Sequence, residues 1–499
     1  MNEMSQTITA LRRMEKKLFA YNYATAVIET DEATVAPTNG GIGRGEALEV
    51  LAADINALIA DPALGGLLDE AAAQPLSELQ AAEVRELRRQ NTQYTKLPAG
   101  EYASAKRLFN DSRDAWHHAK QTNDFSLFAP WLERCLETRR RWAAYFAPEK
   151  SSYEVWLDQY QPGLTIEKTD AFFDTIRGAI VPLLREIQEN GCAPRTDFLH
   201  GTWPITHQKQ LSAFVMERMG LTKEHCVLGE TEHPFTQQLY DEDVRITTHY
   251  YEDDFTSNLF SVIHEGGHAL YERHISPALR YTVLAEGSCI GIHESQSRLF
   301  ENYIGRSREF LGYLLPTLKE LFPSQLDGVD AEAFYRAVNR VEPSLIRTEA
   351  DELTYTLHVL IRYELEKQLF SGSLTVKELP AAWNRLYREY LGVTVPDDAH
   401  GVLQDVHWSQ GDFGYFPGYA LGTAYAAQMV EHMRRHFDFD ACCRSGDFSA
   451  ILDWQTQHLW QYGKGRTPAE LIESACGGPF DPQPFIAYLN QKYREIYAL

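Results

Sequence analysis

Apolar residues recur at intervals of three and four along most of this chain, with charged residues between them. Residues 76–97 (LSELQAAEVRELRRQNTQYTKL) and 171–190 (AFFDTIRGAIVPLLREIQEN) are examples. An α-helix places such residues on one face, so each stretch predicts an amphipathic helix. The same spacing covers 214–220, 309–322, 332–346, 352–370 and the segment from 470 to Leu499. Helix is therefore expected from end to end. Loop signals are short: APTNGGIGRG at 36–45, QPGLT at 161–165, ENGCAPRTD at 189–197 and FSGSLT at 370–375. One stretch departs from the helical period. DEDVRITTHYYEDDF, residues 241–255, is rich in β-branched and aromatic side chains and predicts a small β-sheet.

The chain has 499 residues, with no fixed-period repeat, low-complexity tract or long linker. This favours one large body over 1–499, in which the Ala-, Glu- and Leu-rich residues 1–100 are expected to form a helical lid. A net charge of −23 argues against a nucleic-acid partner, because phosphate binding needs a basic surface, and against an anionic membrane. No window approaches the ~18 uninterrupted apolar residues of a membrane span. Seven cysteines without a compact spacing do not read as a disulfide framework, and the N-terminal residues lack the pattern of a secretory leader. A cytoplasmic location is expected.

The strongest chemical signal is NLFSVIHEGGHALYERH, residues 258–274. His264 and His268 stand four apart and share a helix face, so two imidazoles can reach one ion. Glu265 lies one residue round the helix, where it can hold a water. Two histidines and a carboxylate suit zinc and leave a position for water, whose pKa then falls to about 7. Cobalt or manganese can take the same ligands. Apolar Leu259, Phe260, Val262, Ile263, Ala269 and Leu270 give the helix a buried setting. Gly266 and Gly267 each cost a helix interior about 1 kcal/mol relative to alanine. Either close approach of another backbone or of substrate to the helix at the metal, or tight helix packing, accounts for them. A third ligand is expected in GIHESQSRLFENYI, residues 291–304. Glu294 is preferred, with Glu286, Glu301 and His293 as competitors that spacing does not exclude.

Six separated signatures then occur in order: His233-Pro234-Phe235; Asp243-Val244-Arg245-Ile246-Thr247; His264 to His268; His293-Glu294-Ser295-Gln296; Ile346-Arg347-Thr348-Glu349-Ala350-Asp351; and Gly401-Val402-Leu403-Gln404-Asp405-Val406-His407-Trp408. With these, and with LDQYQPGLT at 157–165 and GYFPGYALG at 414–422, the sequence resembles the carboxypeptidase Taq family of metallocarboxypeptidases. The resemblance implies Glu294 as third ligand. It also implies a mainly helical, zincin-like body of the neurolysin type with a deep groove, commonly a homodimer. It departs near the N-terminus, where the family's tryptophan-aspartate pair is replaced by IETDEATVAP, residues 28–37.

Release of C-terminal residues from peptides requires recognition of a free carboxylate, which a planar guanidinium provides. Arg347 is the preferred candidate, with Arg245 the alternative and His233 a further substrate contact. His407, Tyr415 and Tyr419 are expected donors to the developing oxyanion. Glu265 is expected to activate the metal-bound water as general base and then to protonate the leaving amine. The competing readings are a helical zinc endo-oligopeptidase and a noncatalytic metal-binding scaffold.

Overall fold

Several helices in this protein start at side chains that satisfy free backbone N–H groups. Ser77 and Gln80 form a reciprocal capping box at the start of Glu78–Thr95. Asp254 opens Phe255–Arg273 by accepting from the N–H groups of Thr256 and Ser257, a type of contact contributing about 1 kcal/mol. The computed structural model describes residues 6–98 and 100–499. Among these are twenty α-helices and one three-stranded sheet, the mainly helical architecture that the periodicity predicts. No single helix among them is long and apolar enough to cross a membrane.

Three boundaries differ from expectation. The glycine-rich stretch 36–45 is not all loop, because helix Gly41–Ile59 begins inside it. The helix expected over 332–346 stops at Val338, ahead of Pro343, a residue that cannot supply a helical N–H. The last segment divides into Pro468–Cys476 and Gln483–Tyr497, with Gly477 in the left-handed conformation between them.

The sheet comprises β1 (Cys226–Glu230), β2 (Thr236–Tyr240) and β3 (Asp243–Thr248) in the order β1-β3-β2. β1 pairs with β3 in parallel, and β2 pairs with it antiparallel, with Thr236 opposite Ile246. Only β3 falls within the stretch that the sequence marks as strand. Val244 and Ile246 are fully buried and anchor the sheet, with β1 and β2 as its two edge strands.

Tight packing positions the glutamate helix, Ile290–Arg298, between the histidine helix, Phe255–Arg273, and helix Pro417–Arg434. A Cβ at Gly267 would lie 2.6 Å from the carbonyl oxygen of Gln296, and one at Gly422 would lie 2.6 Å from Cβ of Glu294. One at Gly418 would press on Ile290 at 2.7 Å. Gly267 thus serves backbone approach between two helices. A Cβ at Gly266 would meet the tip of Met219 instead. The glutamate helix continues into a π-helical turn, Leu299–Gly305, a widening that recurs at functional sites.

The first helix, Gln6–Thr34, lies against β2, with Phe19 packed on Tyr240 and Tyr281 at ring separations of 6.2 and 5.0 Å. Of the expected lid region 1–100, residues 1–5 and 99 lie outside the described residues.

Candidate metal centre

A cleft of about 1550 Å³ runs between the first helix, β2, the histidine helix and the segment 347–355. His264, Glu265, His268 and Glu294 lie in its wall. The histidines share a face one helical turn apart, and the glycine-mediated packing of Ile290–Arg298 brings Glu294 up to them. One ligand atom from each of His264, His268 and Glu294 lies within 4.8 Å of the others. Glu294 Oε2 is 3.9 Å from Nε2 of His264 and 3.7 Å from Nε2 of His268. A divalent ion about 2.0–2.2 Å from each donor fits that triangle after shifts of a few tenths of an ångström.

The competitors for third ligand are otherwise engaged. Glu301 accepts from Nδ1 of His264 at 2.9 Å, on the side of the ring away from Glu294. Burial disfavours its charge, yet Arg298, His264 and Arg306 hold its carboxyl well below the usual range. Glu286 pairs with Lys464 at 2.6 Å. His293 contacts His268 through one ring nitrogen and Glu272 through the other, each at 2.6 Å. Arg298, which sequence reasoning missed, donates from Nε to Glu294 Oε1 at 2.7 Å. It thereby leaves Oε2 facing the histidines. Its spacing four residues after Glu294 is the signal that could have found it.

Glu265 is buried beside these three residues, and its carboxylate accepts from the hydroxyl of Thr236 at 2.6 Å. Burial raises its pKa, while His264 and Thr236 pull it back.

Arg347 lines the cleft. Its Nε and Nη2 lie 3.1 and 2.9 Å from Asp405 Oδ1, and its Nη1 is 3.3 Å from the Tyr355 hydroxyl. Arg362 grips the other oxygen of Asp405, so the guanidinium plane is fixed on both edges. Tyr415 and Tyr419 also line the cleft, with ring centres 5.4 Å apart. Burial raises both phenol pKa values, so each keeps its O–H as a donor at neutral pH.

The remaining candidates lie elsewhere. His407 packs behind Tyr415 at 5.2 Å and is absent from the cleft wall. Burial lowers its pKa to about 4 against the pull of Asp405. Arg245 sits on β3, paired at 3.1 Å with Asp243 of the same strand, and lies outside the cleft wall. His233 is exposed and also outside the cleft wall, although its neighbours Pro234 and Phe235 line it.

These features agree with relationships across the whole chain. Carboxypeptidase 1 of Bacillus subtilis is 39% identical over 487 residues, covering 97% of each chain. Thermostable carboxypeptidase 1 of Thermus thermophilus is 35% identical, covering 95% of each. The crystal structure of an M32 carboxypeptidase from Deinococcus radiodurans superposes with a TM-score of 0.96 at 36% identity, covering 99% of this chain and 100% of that one. A structure of Pyrococcus furiosus carboxypeptidase gives 0.95 at 32% identity, covering 98% and 99%. The family model for the carboxypeptidase Taq (M32) metallopeptidases matches residues 10–493, a span holding every residue of the centre, and the chain belongs to that family.

Proposed function

We propose that His264, His268 and Glu294 hold the divalent ion of this metal-dependent carboxypeptidase, and that Glu265 is its general base and acid. The observation that carries the reading is the convergence of the three ligand atoms within 4.8 Å beside a buried carboxylate, at the wall of a large cleft. Two imidazoles and a carboxylate suit zinc, with cobalt or manganese as substitutes. When bound, the ion supplies Lewis-acid polarisation of water and of the scissile carbonyl.

The chain's own residues supply the rest. Glu265, aimed by Thr236, removes a proton from the attacking water and returns it to the leaving amine. Arg347, braced by Asp405, receives the free C-terminal carboxylate of the peptide. Tyr415 and Tyr419 donate to the oxyanion, and His407 supports Tyr415 from behind. Arg298 and Arg306 also line the cleft and pair with Glu294 and Glu301. β2, an edge strand along the cleft, offers a line on which an extended peptide can pair. The first helix forms part of a lid within residues 1–100 of a single catalytic body. A homodimer in the cytoplasm completes the proposal; seven free cysteines fit a reducing compartment.

Mass spectrometry of a free and a C-terminally amidated peptide, with chelator and with restored zinc, tests the activity. Chelator-sensitive, stepwise loss of C-terminal residues from the free peptide alone is expected. Internal fragments from both peptides would favour the endo-oligopeptidase, and no cleavage by metallated protein would favour the scaffold. Elemental analysis of the purified protein identifies the metal, light scattering the oligomer.

A further inference from the structure

We propose that His293 and Glu272 are positioning residues for the metal centre, acting through His268; the inference rests on the ligand assignment above. Nδ1 of His268 is 2.6 Å from Nδ1 of His293, and Nε2 of His293 is 2.6 Å from Oε1 of Glu272. Nε2 of His268 faces Glu294. An imidazole that offers its Nε2 lone pair to a cation keeps its own proton on Nδ1. His268 therefore donates to Nδ1 of His293. With that nitrogen accepting, His293 carries its proton on Nε2 and donates it to Glu272. The order of donors and acceptors is fixed along the whole row, and with it the tautomer and orientation of the ligand ring.

The two ligand histidines are thus held differently. His264 donates directly to Glu301, a carboxylate that Arg298 and Arg306 also bind. His268 reaches a carboxylate only through a second imidazole. Both nitrogens of His293 are engaged in this role, which separates it from the ligands although it is adjacent to Glu294 in sequence.

The relay also ties the metal ligand to the wall of the substrate cleft. Glu272 Oε1 accepts from the N–H of Gly287 at 3.1 Å, and the Tyr271 hydroxyl accepts from the N–H of Ser288 at 3.0 Å. Gly287 and Ser288 both line the cleft. Position 287 has no room for a side chain: a Cβ there would lie 2.5 Å from Cδ2 of His293 and 2.9 Å from Cε1 of Tyr271. The backbone of the cleft wall closes directly over the relay.

The test titrates zinc into apo-protein in competition with a chromophoric chelator, a readout independent of turnover, with circular dichroism to verify folding. His293→Leu should bind zinc 10- to 100-fold more weakly than the parent chain. His293→Gln should recover most of that loss, because its amide carries one acceptor for His268 and a donor for Glu272. A purely space-filling role would give no such recovery. Should His293→Leu not fold, Gly287→Ala takes its place, since it keeps every polar atom of the relay and displaces the ring; it should weaken zinc binding several-fold. Affinities of His293→Leu or Gly287→Ala within twofold of the parent overturn the relay and leave the ligands standing, as does a His293→Gln no better than His293→Leu. A parent chain that binds no zinc overturns the ligand assignment and the relay together.

Discussion

The hydroxyl of Thr236, the first residue of β2, lies 2.6 Å from Oε2 of Glu265 and 3.0 Å from the same residue's carbonyl oxygen. It fixes the proposed base against the edge strand of the cleft. Thr236→Val keeps the shape and removes the donor. A hydrogen bond to a charged group contributes roughly 1.5–3 kcal/mol, and part of that loss should appear as a misdirected carboxylate. The expected result is kcat about tenfold lower, ~1.4 kcal/mol in barrier, with KM and zinc affinity unchanged. Steady-state kinetics showing an unaltered kcat would remove Thr236 from the mechanism.

Glu265→Gln separates the base from the ligands. The amide keeps the size of the side chain and cannot take a proton from water. Metal content by elemental analysis should match the parent chain, while kcat falls about 10²- to 10⁴-fold, the usual contribution of a positioned base. Turnover at the parent rate would sink the role given to Glu265.

The metal motif was legible in the sequence because its geometry is local: four residues along a helix set the separation of His264 and His268 without help from the fold. For the third position the sequence preferred Glu294, as the family resemblance also implied, but spacing did not exclude Glu301, Glu286 or His293; what separates them is packing of the glutamate helix through Gly267, Gly418 and Gly422, which no short window contains. Thr236 was missed for the same reason, since it reaches Glu265 across 29 residues, from a strand packed on the histidine helix. Arg347 was recognised as a cleft arginine, but its brace, Asp405, lies 58 residues on. The helical character of the body was plain from its period. β1 and β2 were not, because CVLGE and TQQLY are short and lack clear alternation.

The paired glycines in the histidine helix should respond differently to alanine. At Gly267 a Cβ would strike backbone, 2.6 Å from Gln296 O and 2.8 Å from Cα of Ser297, and neither can move without shifting the glutamate helix. At Gly266 it would meet Met219 Cε at 2.6 Å, the end of a flexible side chain. Overpacking costs about 1–3 kcal/mol, whereas alanine in a helix interior regains about 1 kcal/mol over glycine. Gly267→Ala should lower the melting temperature and weaken zinc binding as Glu294 is pushed from the histidines. Gly266→Ala should come close to neutral on both. Equal effects in thermal melts and zinc titrations would refute the packing argument.

The first helix carries a pH-sensitive contact with the cleft wall. Glu15, 2% exposed, accepts from the N–H of Val283 at 3.0 Å. Beside it Glu83, 1% exposed, is bound by the Arg12 guanidinium at 3.1 Å. Burial first, then hydrogen bonding and charge from Glu83, push the Glu15 carboxyl up to about 9. The folded protein therefore keeps this proton between pH ~4.5 and ~9, where the unfolded chain has released it, and stability from this group declines as pH rises through that window. The contribution is complete below pH ~4.5 and gone above ~9. Glu15→Gln holds a neutral donor toward Glu83 at every pH. Its melting temperature should exceed that of the parent chain by several degrees at pH 9 and converge with it toward pH 5. Parallel melting curves for the two proteins across pH 5–9 would show that Glu15 releases its proton at the usual carboxyl value in the folded state.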